Sequence, residues 1–387
     1  MPDYYEKTCT APVNIAVIKY WGKRDVSLNL PTNSSLSVTL SQDNLQSKTT
    51  IRADPSFSKT RLWLNGVEED VSASKRIQTC IKEARRLRSL YEQQLLRDGN
   101  SEVVPLSEYN LHICSENNFP TAAGLASSAS GFACFVYTLA QLYSLPNSLS
   151  ELSIIARQGS GSACRSLFGG FVAWEMGVNN DGSDSMAVQI ADEHHWPELI
   201  ALICVVSDAK KAIGSTVGMQ VTVKTSSLLK ERIECVVPKR MEEMVKAIKD
   251  KDFDAFAELT MRDSNQFHAV CLDSFPPIFY LNDISRAIIR LVEEYNSTSC
   301  NYKAAYTFDA GPNAVIYTLR ENADELVGLI KRYFMGEERE QIPSGFRADA
   351  VPIFEEGSVK QLIRTTVGDG PRVIEDGLLN EDGMPKS

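Results

Sequence analysis

Two lobes that mix β-sheet with covering helices are what this sequence predicts, and three observations carry that expectation. The chain has 387 residues, 43% of them hydrophobic, which exceeds one ordinary core and is enough to bury two. Alternating Val- and Ile-rich stretches recur in both halves and are interleaved with segments of helical period. Between Asn117 and Gly131 a strand pattern runs through a Pro- and Gly-punctuated turn into a small-residue-rich helix, an arrangement in which the first helical amides face an anion.

Composition narrows the function. Forty basic against fifty acidic residues give a net charge of −10, which argues against a broad nucleic-acid surface and means that an anionic ligand needs local cations. The nine cysteines contain no C-x-x-C pair and read as reduced thiols. His112, His194, His195 and His268 show no metal-ligand spacing, so no structural zinc is expected. No apolar run reaches the ~18 residues that cross a bilayer, and Met1 to Glu6 lack a secretory signal; the cytoplasm is the expected compartment.

In the stretch from Asn117 to Gly131, Gly124 and the alanines clear side chains from the backbone, while Ser127, Ser128 and Ser130 offer hydroxyls to phosphate oxygens or a magnesium ion. It is not a Walker A loop, because no lysine lies between Asn117 and Ser144. The same residues also suit an ordinary capped core helix.

Taken in order, Thr8 to Ile18 alternates as a strand, with Pro12 marking an edge or bulge. It ends in Lys19-Tyr20-Trp21-Gly22-Lys23-Arg24, three cations in six residues. The interleaved aromatic pair is too apolar for a simple exposed turn, so the run reads as a cleft mouth, with a solvated charge cluster as the alternative. Leu36 to Leu40 and Thr49 to Arg52 read as strands, and Arg61 to Leu64, Asn65-Gly66 and Val67 form a hairpin with a primed turn. From Ser72 or Ser74 to about Leu96 apolar residues recur at helical spacing. Arg76 in its first turn opposes the helix dipole, as an anion contact or a surface arginine.

Ser148 and Glu151 make a capping box for a helix that Gly159 stops. Ser160-Gly-Ser-Ala-Cys-Arg165 reads from the residues alone as a flexible loop, although its serines and arginine are anion-ready. Phe171 to Trp174 and Ile200 to Val206 are strand patterns, and a lobe boundary near His195 to Leu199 divides the chain into 1–197 and 198–387. Ser215 reads as a helix cap with Thr216 toward ligand. Helical patterns cover Pro238 to Asp250, Phe253 to His268 and about Leu281 to Tyr295. Lys303 to Phe308 and Ala314 to Leu319 flank the turn Asp309-Ala-Gly-Pro-Asn313, then come a helix at 321–335 and strands near 360–374. An aspartate in such a turn ordinarily bonds its own backbone.

Pro120-Thr-Ala-Ala-Gly-Leu-Ala-Ser-Ser-Ala129 resembles the ATP motif of the superfamily of galactokinase, homoserine kinase, mevalonate kinase and phosphomevalonate kinase. Within it, the blocks Ala11 to Arg24, Arg157 to Ser166, Gly214 to Met219 and Ala305 to Asn313 resemble, in that order, the mevalonate diphosphate decarboxylase family. The resemblance implies an α+β, two-lobed small-molecule-kinase fold: a ribosomal-protein-like N-terminal lobe and a split β-α-β, ferredoxin-like C-terminal lobe. ATP and substrate meet between them, usually in a homodimer.

The activity implied is ATP- and Mg²⁺-dependent decarboxylation of mevalonate 5-diphosphate to isopentenyl diphosphate, a step of isoprenoid and sterol biosynthesis. By the same resemblance Asp309, Arg165 and Lys19 are catalytic, with Asp309 on the tertiary hydroxyl and Arg165 on the carboxylate. Tyr20, Trp21, Gly22, Lys23, Arg76, Ser160, Gly161, Ser162, Ala163, Cys164, Ser215 and Thr216 are implied substrate contacts. Gly124, Leu125, Ala126, Ser127 and Ser128 are implied at the ATP phosphates, with Ser128 on Mg²⁺. Nothing is matched between Arg97 and Pro105 or beyond Ser344. A kinase that stops at the phosphorylated alcohol, and a ligand sensor without catalysis, are the competing readings.

Overall fold

In the computed structural model, which describes residues 4–119, 127–207, 213–337 and 342–386, the chain opens with β1 (Tyr5–Pro12), β2 (Asn14–Ile18), β3 (Lys23–Asp25), β4 (Leu30–Pro31), β5 (Ser35–Thr39) and β6 (Gln46–Asp54). The hairpin β7 (Arg61–Leu64) and β8 (Val67–Glu69) leads to helix α1 (Lys75–Arg97), then β9 (Asn110–Asn117), α2 (Ser127–Leu142) and α3 (Leu149–Gly159). A 3₁₀ segment, Gly161–Leu167, precedes β10 (Phe171–Trp174), β11 (Ala187–Ala191) and β12 (Leu199–Val205). Next come α4 (Ser215–Thr225), α5 (Ser227–Glu231), a π turn (Arg232–Val236), α6 (Val237–Asp250), α7 (Phe253–Leu272) and α8 (Asp283–Ser297). The rest is β13 (Ala304–Phe308), β14 (Ala314–Leu319), α9 (Arg320–Phe334), β15 (Gln361–Thr366) and β16 (Arg372–Ile374).

Three main sheets organise these elements. A six-stranded sheet has the order β16-β1-β6-β9-β7-β8, a four-stranded sheet β11-β10-β5-β2, and another β13-β14-β12-β15. In the third, the first, second, third and fourth strands in sequence stand in the order second, third, first, fourth, all antiparallel, which is the split β-α-β arrangement. Cys9, Ala11, Ile51, Ala53, Leu111 and Ile113 of the six-stranded sheet pack against α1, α2 and α3. The largest core joins Val13, between β1 and β2, and Ile15, Val17 and Leu36 of the second sheet to Ile203, Phe256 and Ile316, so the two lobes are fused through β2 and α7.

The opposite face of the six-stranded sheet presents Thr50, Arg52, Trp63 and His112, and the end of the chain covers it. Leu378 N–H donates to Thr50 Oγ1 (2.7 Å), Arg52 Nη1 to the Glu381 carbonyl (2.8 Å) and His112 Nδ1 to the Gly383 carbonyl (2.8 Å). Trp63, Cys114 and Leu379 form a small cluster beneath it. The expected boundary near 198 assigns everything after it to the second lobe; instead Thr8, Cys9 and Thr10 of β1 pair with Ile374, Val373 and Arg372 of β16.

Other expectations change for local reasons. The strand read from Thr8 to Ile18 is two strands in different sheets, parted after Pro12, the last residue of β1. The serine-rich segment read as a flexible loop is the 3₁₀ turn, and all its residues but Ser162 are buried. The Ser148 to Glu151 capping box is present. Gly159, however, ends its helix without a left-handed backbone; it is small because a Cβ there would overlap the Phe132 ring. Gly214, not Ser215, is the N-cap of α4. The short β3, β4, β11 and α5 carry too few residues to show a period.

Leu379 is 4% exposed under the returning chain. Leu379→Ala should lower stability by about 2 kcal/mol, read as a shift in urea midpoint, with activity at 25 °C unchanged; an unmoved midpoint would show that this segment is not packed on the sheet.

Candidate active site

β2 stops at Ile18, and the next residues turn into a cleft of about 570 Å³ between the lobes. Lys19 is buried, and its Nζ lies 2.7 Å from Asp309 Oδ1. Asp309 follows β13, and its turn is closed by backbone, Gly311 N–H donating to the Asp309 carbonyl at 2.7 Å. The carboxylate is thus turned to Lys19 and the cleft, whereas the ordinary turn role falls to the main chain. Burial pulls the Lys19 pKa below its usual value, and the neighbouring Asp309 charge acts against that pull.

Arg165 reaches the same cleft from the 3₁₀ turn. It is 3% exposed; Nε donates to Asn14 Oδ1 (3.2 Å), Nη1 donates to Ser35 Oγ, and the guanidinium stands 5.9 Å from the Trp174 ring centre. Asn14 Nδ2 in turn donates to the Ser162 carbonyl (3.0 Å) and Ser166 Oγ (2.7 Å). Tyr20 meets Trp174 edge-on at 4.7 Å. Gly161 lies where a Cβ would come within 2.8 Å of Trp174 and 3.1 Å of the Tyr20 hydroxyl, so the wall closes only with glycine there. A guanidinium held on one edge keeps its remaining N–H groups for a planar anion.

Lys23 and Arg76 line the cleft together with Ser127, Ser128, Ser160 and Ser162. Burial first, and the adjacent Arg76 charge second, hold the Lys23 pKa below normal. Ser128 Oγ is 3.3 Å from Ser160 Oγ. A second, mostly apolar pocket of about 220 Å³ opens beside them, lined by Leu62, Leu64, Ile77, Ile113, Phe132 and Phe135, with Asn65, Ser115 and Asn117 as polar groups. Ser127 and Ser128 border both cavities.

The structure therefore brings Lys19, Tyr20, Trp21, Lys23, Arg76, Ser127, Ser128, Ser160, Gly161, Ser162, Arg165, Ser215, Thr216 and Asp309 to one cleft. Gly22, Ala163 and Cys164 are not in its wall. Ala163 and Cys164 are fully buried behind it; the Cys164 thiol, pushed up to about 12 by burial, donates to the Gly161 carbonyl at 3.0 Å. Gly22 has φ +93° and turns the chain against Thr32. Gly124, Leu125 and Ala126 lie outside the described residues. Among the described residues no cluster of three His, Cys, Asp or Glu could hold a metal ion, which leaves hydroxyls such as Ser128 and the single carboxylate of Asp309 as donors for an ion arriving with phosphates.

Sequence reasoning missed Asn14, Ser35, Asn29, Met219, Phe267 and the whole second pocket. A polar Asn14 within the apolar run Val13 to Ile18 was a readable signal; the apolar wall residues look like any core.

Comparison with known proteins agrees with this geometry. Residues 11–187 match the Diphosphomevalonate decarboxylase-like N-terminal domain, and residues 201–374 the Mevalonate 5-diphosphate decarboxylase C-terminal domain. A diphosphomevalonate decarboxylase of Ganoderma lucidum is 58% identical, with 99% of each chain covered. A crystal structure of a mevalonate 5-diphosphate decarboxylase superposes with a TM-score of 0.87 at 51% identity, covering 98% of this chain and 99% of that one. A structure of MDDEF in complex with MVAPP, AMPPCP and magnesium gives a TM-score of 0.76 at 29% identity, covering 96% and 100%. Matched along both lobes and at more than half identity to such a relative, the chain belongs to the mevalonate 5-diphosphate decarboxylase family.

Proposed function

We propose that the chain catalyses ATP-dependent decarboxylation of mevalonate 5-diphosphate to isopentenyl diphosphate, with ADP, phosphate and carbon dioxide as the other products. The observation that carries this reading is that Asp309 and Arg165, from different lobes, line one cleft with the Lys19 ammonium 2.7 Å from Asp309. A carboxylate to engage the hydroxyl serves phosphoryl transfer in a kinase and in this reaction alike; a guanidinium to hold a carboxylate is the group that decarboxylation adds. The MDDEF complex, with its MVAPP, AMPPCP and magnesium, supports the same ligands here.

In this reading Lys23 and Arg76 hold the diphosphate and Arg165 the carboxylate, so the tertiary hydroxyl is presented to Asp309. Asp309 takes the hydroxyl proton as the oxygen attacks the γ-phosphorus and ADP leaves. The C–O bond to the new phosphate then breaks. The electron pair of the C–C bond to the carboxylate forms the new double bond, and carbon dioxide departs. Lys19 keeps Asp309 oriented and offsets charge on the transferring group. Ser128 would help hold a magnesium ion arriving with the ATP phosphates, and the ion would supply neutralisation of phosphate charge. The second pocket takes the adenine: its apolar walls suit a flat base, and Ser127 and Ser128 stand where its phosphates enter the cleft.

Among the described residues no helix is long and apolar enough to cross a membrane. Cytoplasmic residence is supported by free thiols at all nine cysteines. The homodimer rests on family resemblance.

Asp309→Asn should reduce ADP and carbon dioxide formation together by about 10²–10⁴-fold while equilibrium binding of mevalonate 5-diphosphate persists; near-normal turnover of both products would overturn the assignment. Arg165→Gln should weaken substrate binding and Arg165→Lys restore it only in part, because a point charge lacks the planar fork. ADP without carbon dioxide from the wild-type enzyme would favour the kinase reading.

Gly159→Ala should push the Phe132 ring, which lines the second pocket, into the space given to adenine. The expected result is a KM for ATP raised about tenfold with the KM for mevalonate 5-diphosphate unchanged; an unaltered KM for ATP would move the base elsewhere.

A further inference from the structure

Lys19 stands just beyond the last paired residue of its strand. The ladder between β2 and β5 ends at Ile18 opposite Leu36, so the Lys19 amide and carbonyl enter the protein interior with no strand partner. Buried peptide groups require partners, and here an ion pair supplies one to each, with Asn33 Nδ2 donating a second bond to the Lys19 carbonyl at 3.0 Å. Lys19 N–H donates to Asp263 Oδ1 at 2.7 Å, and Arg232 Nη2 donates to the Lys19 carbonyl at 2.9 Å. The same Arg232 grips Asp263 through Nη2 to Oδ1 (2.8 Å) and Nη1 to Oδ2 (2.9 Å), and both side chains are fully buried. Arg240 Nη1 adds a bond to Asp263 Oδ2 at 3.0 Å.

A buried ion pair is a poor source of net stability, since desolvation of both charges offsets much of their attraction. It is a good source of orientation. The two-bond fork fixes the guanidinium against the carboxylate, and together they hold the peptide groups on either side of the Lys19 Cα. That sets the direction of its Cα–Cβ bond and hence where the side chain delivers its ammonium.

We propose that Asp263 and Arg232 are positioning residues that clamp the Lys19 backbone and so place its ammonium on Asp309. The clamp joins three elements of the second lobe to a strand end of the first: Asp263 lies on α7, Arg232 in the π turn and Arg240 on α6. The proposal rests on the reading of Lys19 and Asp309 given above.

The test uses the full chain with mevalonate 5-diphosphate and ATP, with kcat and KM expressed per folded enzyme and stability followed by urea midpoint. Asp263→Asn and Arg232→Lys should each lower kcat by about 10–100-fold with the KM for mevalonate 5-diphosphate within threefold of wild type, because Arg165, Lys23 and Arg76 hold the substrate. Glu92→Gln, which breaks the remote, buried Arg88–Glu92 pair, serves as a control for loss of a buried ion pair and should keep kcat. The double variant Asp263→Asn/Arg232→Gln leaves no unpaired buried charge at these two positions, so it should recover stability over Asp263→Asn while kcat stays low. Recovery of kcat together with stability, or a normal kcat per folded enzyme in the single variants, would overturn the clamp. The Asp309 reading is judged on Asp309→Asn alone, so either idea can fail without the other.

Discussion

The contact on which the arrangement depends is the one between Lys19 and Asp309, residues 290 positions apart and brought to 2.7 Å. Neither belongs to a regular element. Lys19 follows the end of β2 and Asp309 the end of β13, so each is delivered by a strand end that the core holds still. Bringing a buried lysine to a carboxylate costs desolvation, which their attraction offsets only where the geometry is firm. Much of the surrounding structure meets that requirement: the shared core through β2 and α7, the 3₁₀ turn beneath Arg165, and the aromatic packing of Trp21 on Phe267 at 4.8 Å.

Charge is distributed unevenly to match. The chain carries a net −10, yet among the described residues the charged ones lining the cleft are Lys19, Lys23, Arg76 and Arg165 against Asp309 alone. Low-dielectric walls strengthen that local excess, and a ligand bearing phosphates and a carboxylate is drawn to it.

Much of this was legible in the sequence because it is local. The run Lys19 to Arg24, the serine block 160–165 and the Asp309 turn each carry chemistry within a few residues, and a family resemblance turned three separate signals into one site. The Ser148 capping box and the Asn65-Gly66 hairpin are likewise fixed by neighbours in the chain. What stayed hidden depends on distant contacts. Gly159 ends its helix as its sequence indicates, but the reason it must be small, the Phe132 ring above it, lies on another helix; Ala163 and Cys164 share a motif with Arg165 but are fully buried outside the cleft wall. The apolar pocket beside Ser127 is assembled from β7, α1, β9 and α2, so no short stretch announces it. Asp263 and Arg232 sit in unremarkable helical sequence, and only the fold shows what they hold.

The return of the chain to its first sheet has an effect on the order of assembly. β1 has β6 on one side, but its other edge is filled by β16, from residues made more than 350 positions later. At a translation rate of about 5–20 residues per second, the N-terminal half waits many seconds with an unpaired β-edge and with Trp63 uncovered. An open edge is a template for pairing with other chains. The nascent lobe that holds α2 is therefore at its most vulnerable just before synthesis reaches its last strand, and shielding that edge is a task for whatever meets the chain as it emerges.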